Sequence, residues 1–499
     1  MITTLKKIPP SYYIICTFLL CLVYSFLSND RLPFKYIDIF DERNYIEIIK
    51  NFSKNLSEQS FNPYYISRLF IPGIAHFIHQ LFGIDYSLDN IQMVFTILNW
   101  LAIIIALYYY YKIVKTKNYS PAVSIIGFCF LFVNFFVLKF SNYYPILMDL
   151  FGFTSGMILY YYHIVKNRTI FFMVLLISMF IFPTTFLIAI AAVASNFIIF
   201  NKKGLNLEKY FNRYLYLIFS LCIVFELFYL YSHYKLFVST AKKDYTVQSC
   251  LFLIPLTFIL LNCFVFFTIK YMIRLFNNVA LNIKGILSPL FIISTAIIIL
   301  FVLISKFLSI NFRDGAPLSS ENFLFNLIFQ AFSFPLKFLI THFIYYGLFV
   351  VFIVYFRNQL FSYAAEHSDP FLKIIIILFS AFFILGTETR QFLQFLPFIV
   401  FILLDAIKKI PFTIYQLTGI FTFQLLWSRF WYTINTPEGF LDKALIKKDF
   451  FEFPAQNYFQ FQGPWLSTAN SIIYGLIFIL TFIIVVIFFK KNSNNKYNV

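Results

Sequence analysis

A chain of 499 residues that is 60% hydrophobic and only 12% charged has too little polar surface for a soluble domain, and reads as a polytopic integral membrane protein. A formal charge of +17 would suit nucleic acid in a soluble protein; here it is expected to be the Lys and Arg of cytoplasmic loops, and no nucleic-acid partner is called for. Cys16, Cys21, Cys129, Cys222, Cys250 and Cys263 lie almost entirely in apolar runs without metal or disulfide spacing, so they read as small core hydrophobes.

Lys6 and Lys7 precede the first apolar run, which has no small-residue cleavage site after it and is expected to be an uncleaved first span. Apolar segments follow near 91–111, 119–139, 145–163, 169–183, 184–200, 213–232 and 250–269. Further ones lie near 286–308, 335–356, 371–386, 391–407, 411–429 and 470–489. At roughly 20 residues per crossing, they predict an all-α protein of about fourteen (12–14) transmembrane helices. The run 64–82 stays out of that count, because including it would place Lys112, Lys115 and Lys117 beside the acidic first loop. Without it, those lysines, Lys166/Arg168, Lys202/Lys203, Lys270/Arg274, Lys408/Lys409 and both termini share the cytoplasmic side. Segment 64–82 is then expected to lie in the outer interface, interrupted at Pro72–Gly73. Segments 169–183 and 184–200 are short and hinge at Pro183, so a half-inserted pair is the alternative to two crossings. The chain divides into a module 1–232, with a long outer loop 28–90, and a module 233–499, with an aromatic outer loop 430–469.

Chemistry-bearing residues gather on the expected outer face. Asp38, Asp41 and Glu42 stand at i, i+3 and i+4, where one helical turn would align their carboxylates, and Tyr45 follows one turn on. Asp149, just inside a span, and Glu226 are carboxylates in apolar surroundings, each either facing a polar cavity or satisfied between helices. Glu388 and Arg390 sit at the mouth of a late span. His76 and His79 are weak metal candidates without a third ligand, and no metal site is assigned. The carboxylates would nonetheless suit Mg²⁺ or Mn²⁺. The absence of a Gly-rich phosphate loop, an Asp-x-Asp pair and strand–helix alternation argues against a cytoplasmic nucleotide-sugar enzyme.

These features resemble the GT-C superfamily of polytopic glycosyltransferases that use lipid-linked sugars. The resemblance rests on a first span followed by an outer loop carrying Phe40-Asp-Glu-Arg-Asn-Tyr45, which runs into Tyr65-Ile-Ser-Arg-Leu-Phe-Ile-Pro72. It rests also on the hinged pair 169–200 and on Glu388-Thr-Arg390 with Pro397. The resemblance implies an acidic residue of the first outer loop acting at the sugar. Asp41 best matches that place, and Glu42 completes an Asp-Glu pair of the kind seen in protein mannosyltransferases. The His that often follows the pair in those enzymes is absent, with Asn44 and Tyr45 standing near its position.

What is implied is a polyprenyl-phosphate sugar donor, a glycan, lipid or protein acceptor, and a multi-pass protein of the bacterial inner membrane with its active face outward. Asp41, with Asp38 and Glu42 beside it, is expected to supply the base. Arg390 and Arg68 are expected to hold the leaving phosphate, since guanidinium matches phosphate bidentately. Asp149, Tyr45 and Glu388 are expected to support the cavity. Two other classes stay open: an O-antigen-type polymerase or ligase, and a transporter or flippase of a lipid-linked substrate, which would carry inverted repeats.

Overall fold

The computed structural model describes residues 10–28, 30–33, 41–205, 207–232, 253–277, 279–282, 285, 287–313, 331–435, 456 and 466–494. Asp38 and most of the aromatic loop 430–469 lie outside these residues. Residues 1–232 contain α1 Pro10–Leu27, α2 Glu42–Glu58, α3 Phe70–Phe82, α4 Leu88–Lys117, α5 Pro121–Phe132, α6 Asp149–Ile164, α7 Arg168–Ser178, α8 Thr185–Phe197 and α9 Leu207–Ser232. The rest of the chain contains α10 Ile254–Leu275, α11 Pro289–Leu308, α12 Lys337–Tyr346, α13 Leu348–Tyr355, α14 Arg357–His367, α15 Pro370–Leu385, α16 Leu396–Ile407, α17 Ile414–Trp427 and α18 Thr468–Asn494. Strands β1 Ile198–Leu205 and β2 Val279–Leu281 pair antiparallel, Ile198 opposite Leu281.

Several of these helices are long and apolar in the manner of an integral membrane protein. By length and composition α4, α10, α11 and the Thr468–Phe489 part of α18 can each cross a bilayer. Among the described residues the count rises from four to six if two bent pairs, Pro121–Phe132 with Phe136–Tyr143 and Leu348–Tyr355 with Arg357–His367, are each one span. Several other expected spans carry shorter apolar helices, among them α7, α8, α15 and α16. At 11 and 13 residues, α7 and α8 each rise only about 16–20 Å, short of the roughly 30 Å hydrocarbon core.

Local chemistry explains the breaks. Three helices begin with a capping side chain followed by proline, Ser120-Pro121, Ser288-Pro289 and Asp369-Pro370, and each cap accepts an amide of the first turn. The run 335–356 is split at Gly347, whose φ of +56° suits glycine. A Cβ there would lie 2.2 Å from Gln424 Oε1, which instead accepts the Leu348 amide. The expected interruption at Pro72–Gly73 is not found. The break falls at Leu69, between a 3₁₀ turn Pro63–Arg68 and α3, and Pro72 sits in the first turn of α3, where no intrahelical N–H is needed.

Two polar poles terminate the helical core. At one, Lys117 Nζ meets Asp405 Oδ2 at 2.8 Å, Tyr119 donates to Asp405 at 3.0 Å, and Lys408 lies 3.7 Å away. The loops after α4 and α16 therefore share one end. The other pole begins at Asp149, and α6, at 16 residues, spans about 24 Å between them.

A buried ion pair anchors the segment that follows α1. Lys139 Nζ lies 2.6 Å from Asp30 Oδ2, both nearly inaccessible, and Asp30 also accepts the amides of Ile434 and Asn435 at 2.7 and 3.1 Å. Each charge thus has the partners that burial demands.

Candidate functional site

Six of the residues expected to act, Asp41, Tyr45, Arg68, Asp149, Glu388 and Arg390, line one cavity of about 240 Å³. Different elements deliver them. Asp41 is the residue before α2, Tyr45 lies one turn into it, and Arg68 ends the 3₁₀ turn that follows. Asp149 opens α6, and Glu388 and Arg390 come from the link between α15 and α16. The tip of the α7–α8 hairpin, Phe182-Pro183-Thr184, completes the wall.

Arg390 is the electrostatic centre. Its Nη2 lies 3.1 Å from Asp41 Oδ2, its Nη1 3.9 Å from Asp149 Oδ2, and its Nε 4.0 Å from Glu388 Oε2. Glu388 also accepts from Gln391 Nε2 at 2.6 Å. Arg68 makes no ion pair among the described residues; it lies over the Tyr64 ring, 4.7 Å from its centroid, and donates to the Tyr64 carbonyl. Tyr65 donates to Asp41 Oδ1 at 3.5 Å. Tyr45 is buried against Tyr65, and burial pushes its phenol upward, so it remains a neutral donor.

Glu42 departs from the expectation. Successive helical residues point about 100° apart, so Asp41 and Glu42 cannot share the cavity face. Glu42 turns inward, fully buried, and neither carboxyl oxygen has a hydrogen-bond partner among the described residues. Burial pushes its carboxyl up to about 8, against an opposing pull from the Ile146 backbone and with Asp41 adding to the rise, so near neutrality it is mostly protonated. It stands behind the site.

The loop that carries Arg390 is held from beneath. Gln394, fully buried, donates to Ser155 Oγ at 2.8 Å and accepts from Thr184 and Thr185 at 3.1 and 2.9 Å. Gly156 lets this backbone approach: a Cβ there would sit 2.3 Å from the Gln394 carbonyl oxygen. His342 accepts from Thr389 at Nδ1 and donates from Nε2 to the Phe383 carbonyl, at 2.8 and 2.9 Å. None of these was singled out in the sequence, although a Gln and a His within apolar runs are signals of buried polar chemistry.

Other candidates fall elsewhere. His76 bonds Ile49 O and Ser53 Oγ at 2.6 and 2.7 Å, and His79 bonds Ile84 O at 3.2 Å; the two rings pin α2 and the following turn to α3. Glu226 accepts from Asn262 at 2.9 Å between α9 and α10, a carboxylate satisfied between helices.

The acidic residues do not fit a divalent cation. Asp41, Asp149 and Glu388 converge on the Arg390 guanidinium, which holds the place a cation would need. Among the described residues no group of three or more His, Cys, Asp or Glu is arranged to bind a metal. Comparison of the chain with protein-family models, curated proteins and solved structures finds no match.

Proposed function

We propose that this protein is a membrane glycosyltransferase that moves a sugar from a polyprenyl-phosphate donor to an acceptor hydroxyl. The observation that carries this reading is the cavity itself: a carboxylate base, Asp41, shares about 240 Å³ with two guanidinium groups. That is the pairing a displacement at a glycosyl phosphate requires.

The acceptor oxygen attacks the anomeric carbon while Asp41 takes its proton. The bond from the anomeric carbon to the phosphate oxygen breaks, and the electron pair leaves with the lipid phosphate, held by Arg390 and Arg68. A single displacement inverts the anomeric centre. The resting Asp41–Arg390 pair gives the order of events. An arriving phosphate competes for Arg390 and frees the Asp41 oxygen that this contact occupies. Arg68, which makes no ion pair among the described residues, is the ready first contact for that phosphate. The cavity already holds three carboxylates against two guanidinium groups, so a single phosphodiester charge suits it better than a pyrophosphate.

On this reading the chain crosses the membrane about fourteen times, with both termini cytoplasmic and the cavity on the outer face of a bacterial inner membrane. The acceptor is a glycan, lipid or protein hydroxyl. The test is a transfer assay on the purified chain with a panel of polyprenyl-phosphate sugars, wild type against Asp41→Asn. Transfer by the wild type and its loss in a folded Asp41→Asn protein is the expected result. Full activity in the variant removes Asp41 as the base, and no transfer from any donor removes the reading.

A further inference from the structure

A second cavity, about 230 Å³ in volume, opens between α10, the bent pair α13–α14, α15 and α16. Its wall is aromatic and aliphatic, with Phe264 and Phe267 from α10, Phe361 from α14, and Ile376, Phe379 and Phe383 from α15. The two aliphatic hydroxyls in that wall are bound to their own helices. Thr268 Oγ1 donates to the Phe264 carbonyl at 2.8 Å, and Ser380 Oγ to the Ile376 carbonyl at 2.7 Å. The interior therefore offers water nothing to bond, and an empty apolar space of this size forfeits dispersion contacts along its walls. A hydrocarbon chain meets both conditions.

The cavity has a direction. Asp405 and Lys408 mark one pole of the helical core, and Lys408 Nζ stands over the Tyr363 ring of α14, 5.9 Å from its centroid. Ile399, in the wall, lies about 9 Å from Asp405 along α16. On α15, which starts at Pro370, the lining runs inward from Ile376 to Ile384, about 12 Å along the helix.

The mouth differs in chemistry from the interior. Helices α13 and α14 meet at 71°, and Arg357, which opens α14, turns back to donate from Nη1 to the Val354 carbonyl at 2.8 Å. That bond holds the guanidinium against the cavity, and Arg357 makes no ion pair among the described residues. Beside it Tyr271 stacks on Phe361 at 5.0 Å and donates to Asn358, while Arg274 lies over the Tyr271 ring, 5.7 Å from its centroid. No Asp or Glu lines the cavity among the described residues, and Glu366, the one acid of α14, lies near the far end of that helix. Two guanidinium groups at the mouth of a purely apolar interior complement an anionic head on a hydrocarbon tail.

We infer that this cavity seats one acyl chain of an anionic phospholipid from the adjoining leaflet, with its phosphate on Arg357. No residue lines both this cavity and the Arg390 cavity, so the inference does not depend on the transferase reading.

The test uses the purified full chain in neutral detergent, with native mass spectrometry following the retention of added phosphatidylglycerol and phosphatidylcholine. Two variants separate head from tail. Arg357→Gln removes the charge at the mouth, and Ser380→Leu fills the interior while leaving every charge in place. The wild type should retain phosphatidylglycerol in preference to phosphatidylcholine. Arg357→Gln should weaken that retention about fivefold, the effect of one cation at a membrane surface. Ser380→Leu should weaken it at least as much. Equal retention of the two lipids by the wild type, or retention of phosphatidylglycerol unchanged in either variant, overturns the inference.

Discussion

Replacing Glu42 by Gln tests the electrostatics behind the site. Burial pushes the Glu42 carboxyl from about 4.5 to about 8 in the folded protein, where neither oxygen has a hydrogen-bond partner among the described residues. A raised carboxyl is at its most favourable below the unfolded value, where both states are protonated. As pH climbs, the unfolded chain ionises freely and the folded one resists, so stability falls from about pH 4.5 until the folded group ionises near 8. Each unit of this difference is about 1.4 kcal/mol, which puts the cost at roughly 3 kcal/mol at pH 7. Glutamine cannot ionise, so its cost does not change with pH. Its buried amide lacks partners and loses about 1–3 kcal/mol, which sets an offset but no slope. Chemical unfolding in detergent at pH 5, 6, 7 and 8 should therefore show Glu42→Gln gaining on wild type by roughly 3–4 kcal/mol across the range. A difference between the two proteins that stays constant with pH would refute the burial argument.

Two further substitutions probe what holds the site in place. Lys139→Met leaves Asp30 buried with only its two amide donors, and unfolding should show a loss of about 3 kcal/mol, with part of it recovered when Asp30→Asn is added. Gly156→Ala drives a Cβ into the Gln394 carbonyl and should cost about 1–3 kcal/mol in the same assay, while transfer activity falls further because the Arg390 loop is displaced.

The sequence held the pieces of the candidate site because charges are scarce in this chain. Asp149 and Arg390 stood out as ionisable residues in or beside apolar runs, where each is costly and must be compensated. Their meeting with Asp41, 349 residues before Arg390, is a tertiary fact that no local pattern carries. Glu42 was misplaced because neighbouring residues at a helix start point about 100° apart, so Asp41 and Glu42 face different sides. The Pro72 break was misplaced because proline disrupts a helix interior but not its first turn. The Asp30–Lys139 pair went unread although a lysine within the apolar run 119–139 was itself the signal. Apolar runs marked where many of the helices lie and Pro183 marked the short hinged pair, but run length did not show that 335–356 would be cut at Gly347.

The transferase account stands or falls on where a donor phosphate goes. A structure determined in lipid nanodiscs with a polyprenyl phosphate present would locate it. The account expects the phosphate between Arg390 and Arg68, with Asp41 released from its 3.1 Å contact and facing the open side of the cavity. A lipid held away from both arginines, or occluded between two helix bundles near the membrane midplane, would contradict it.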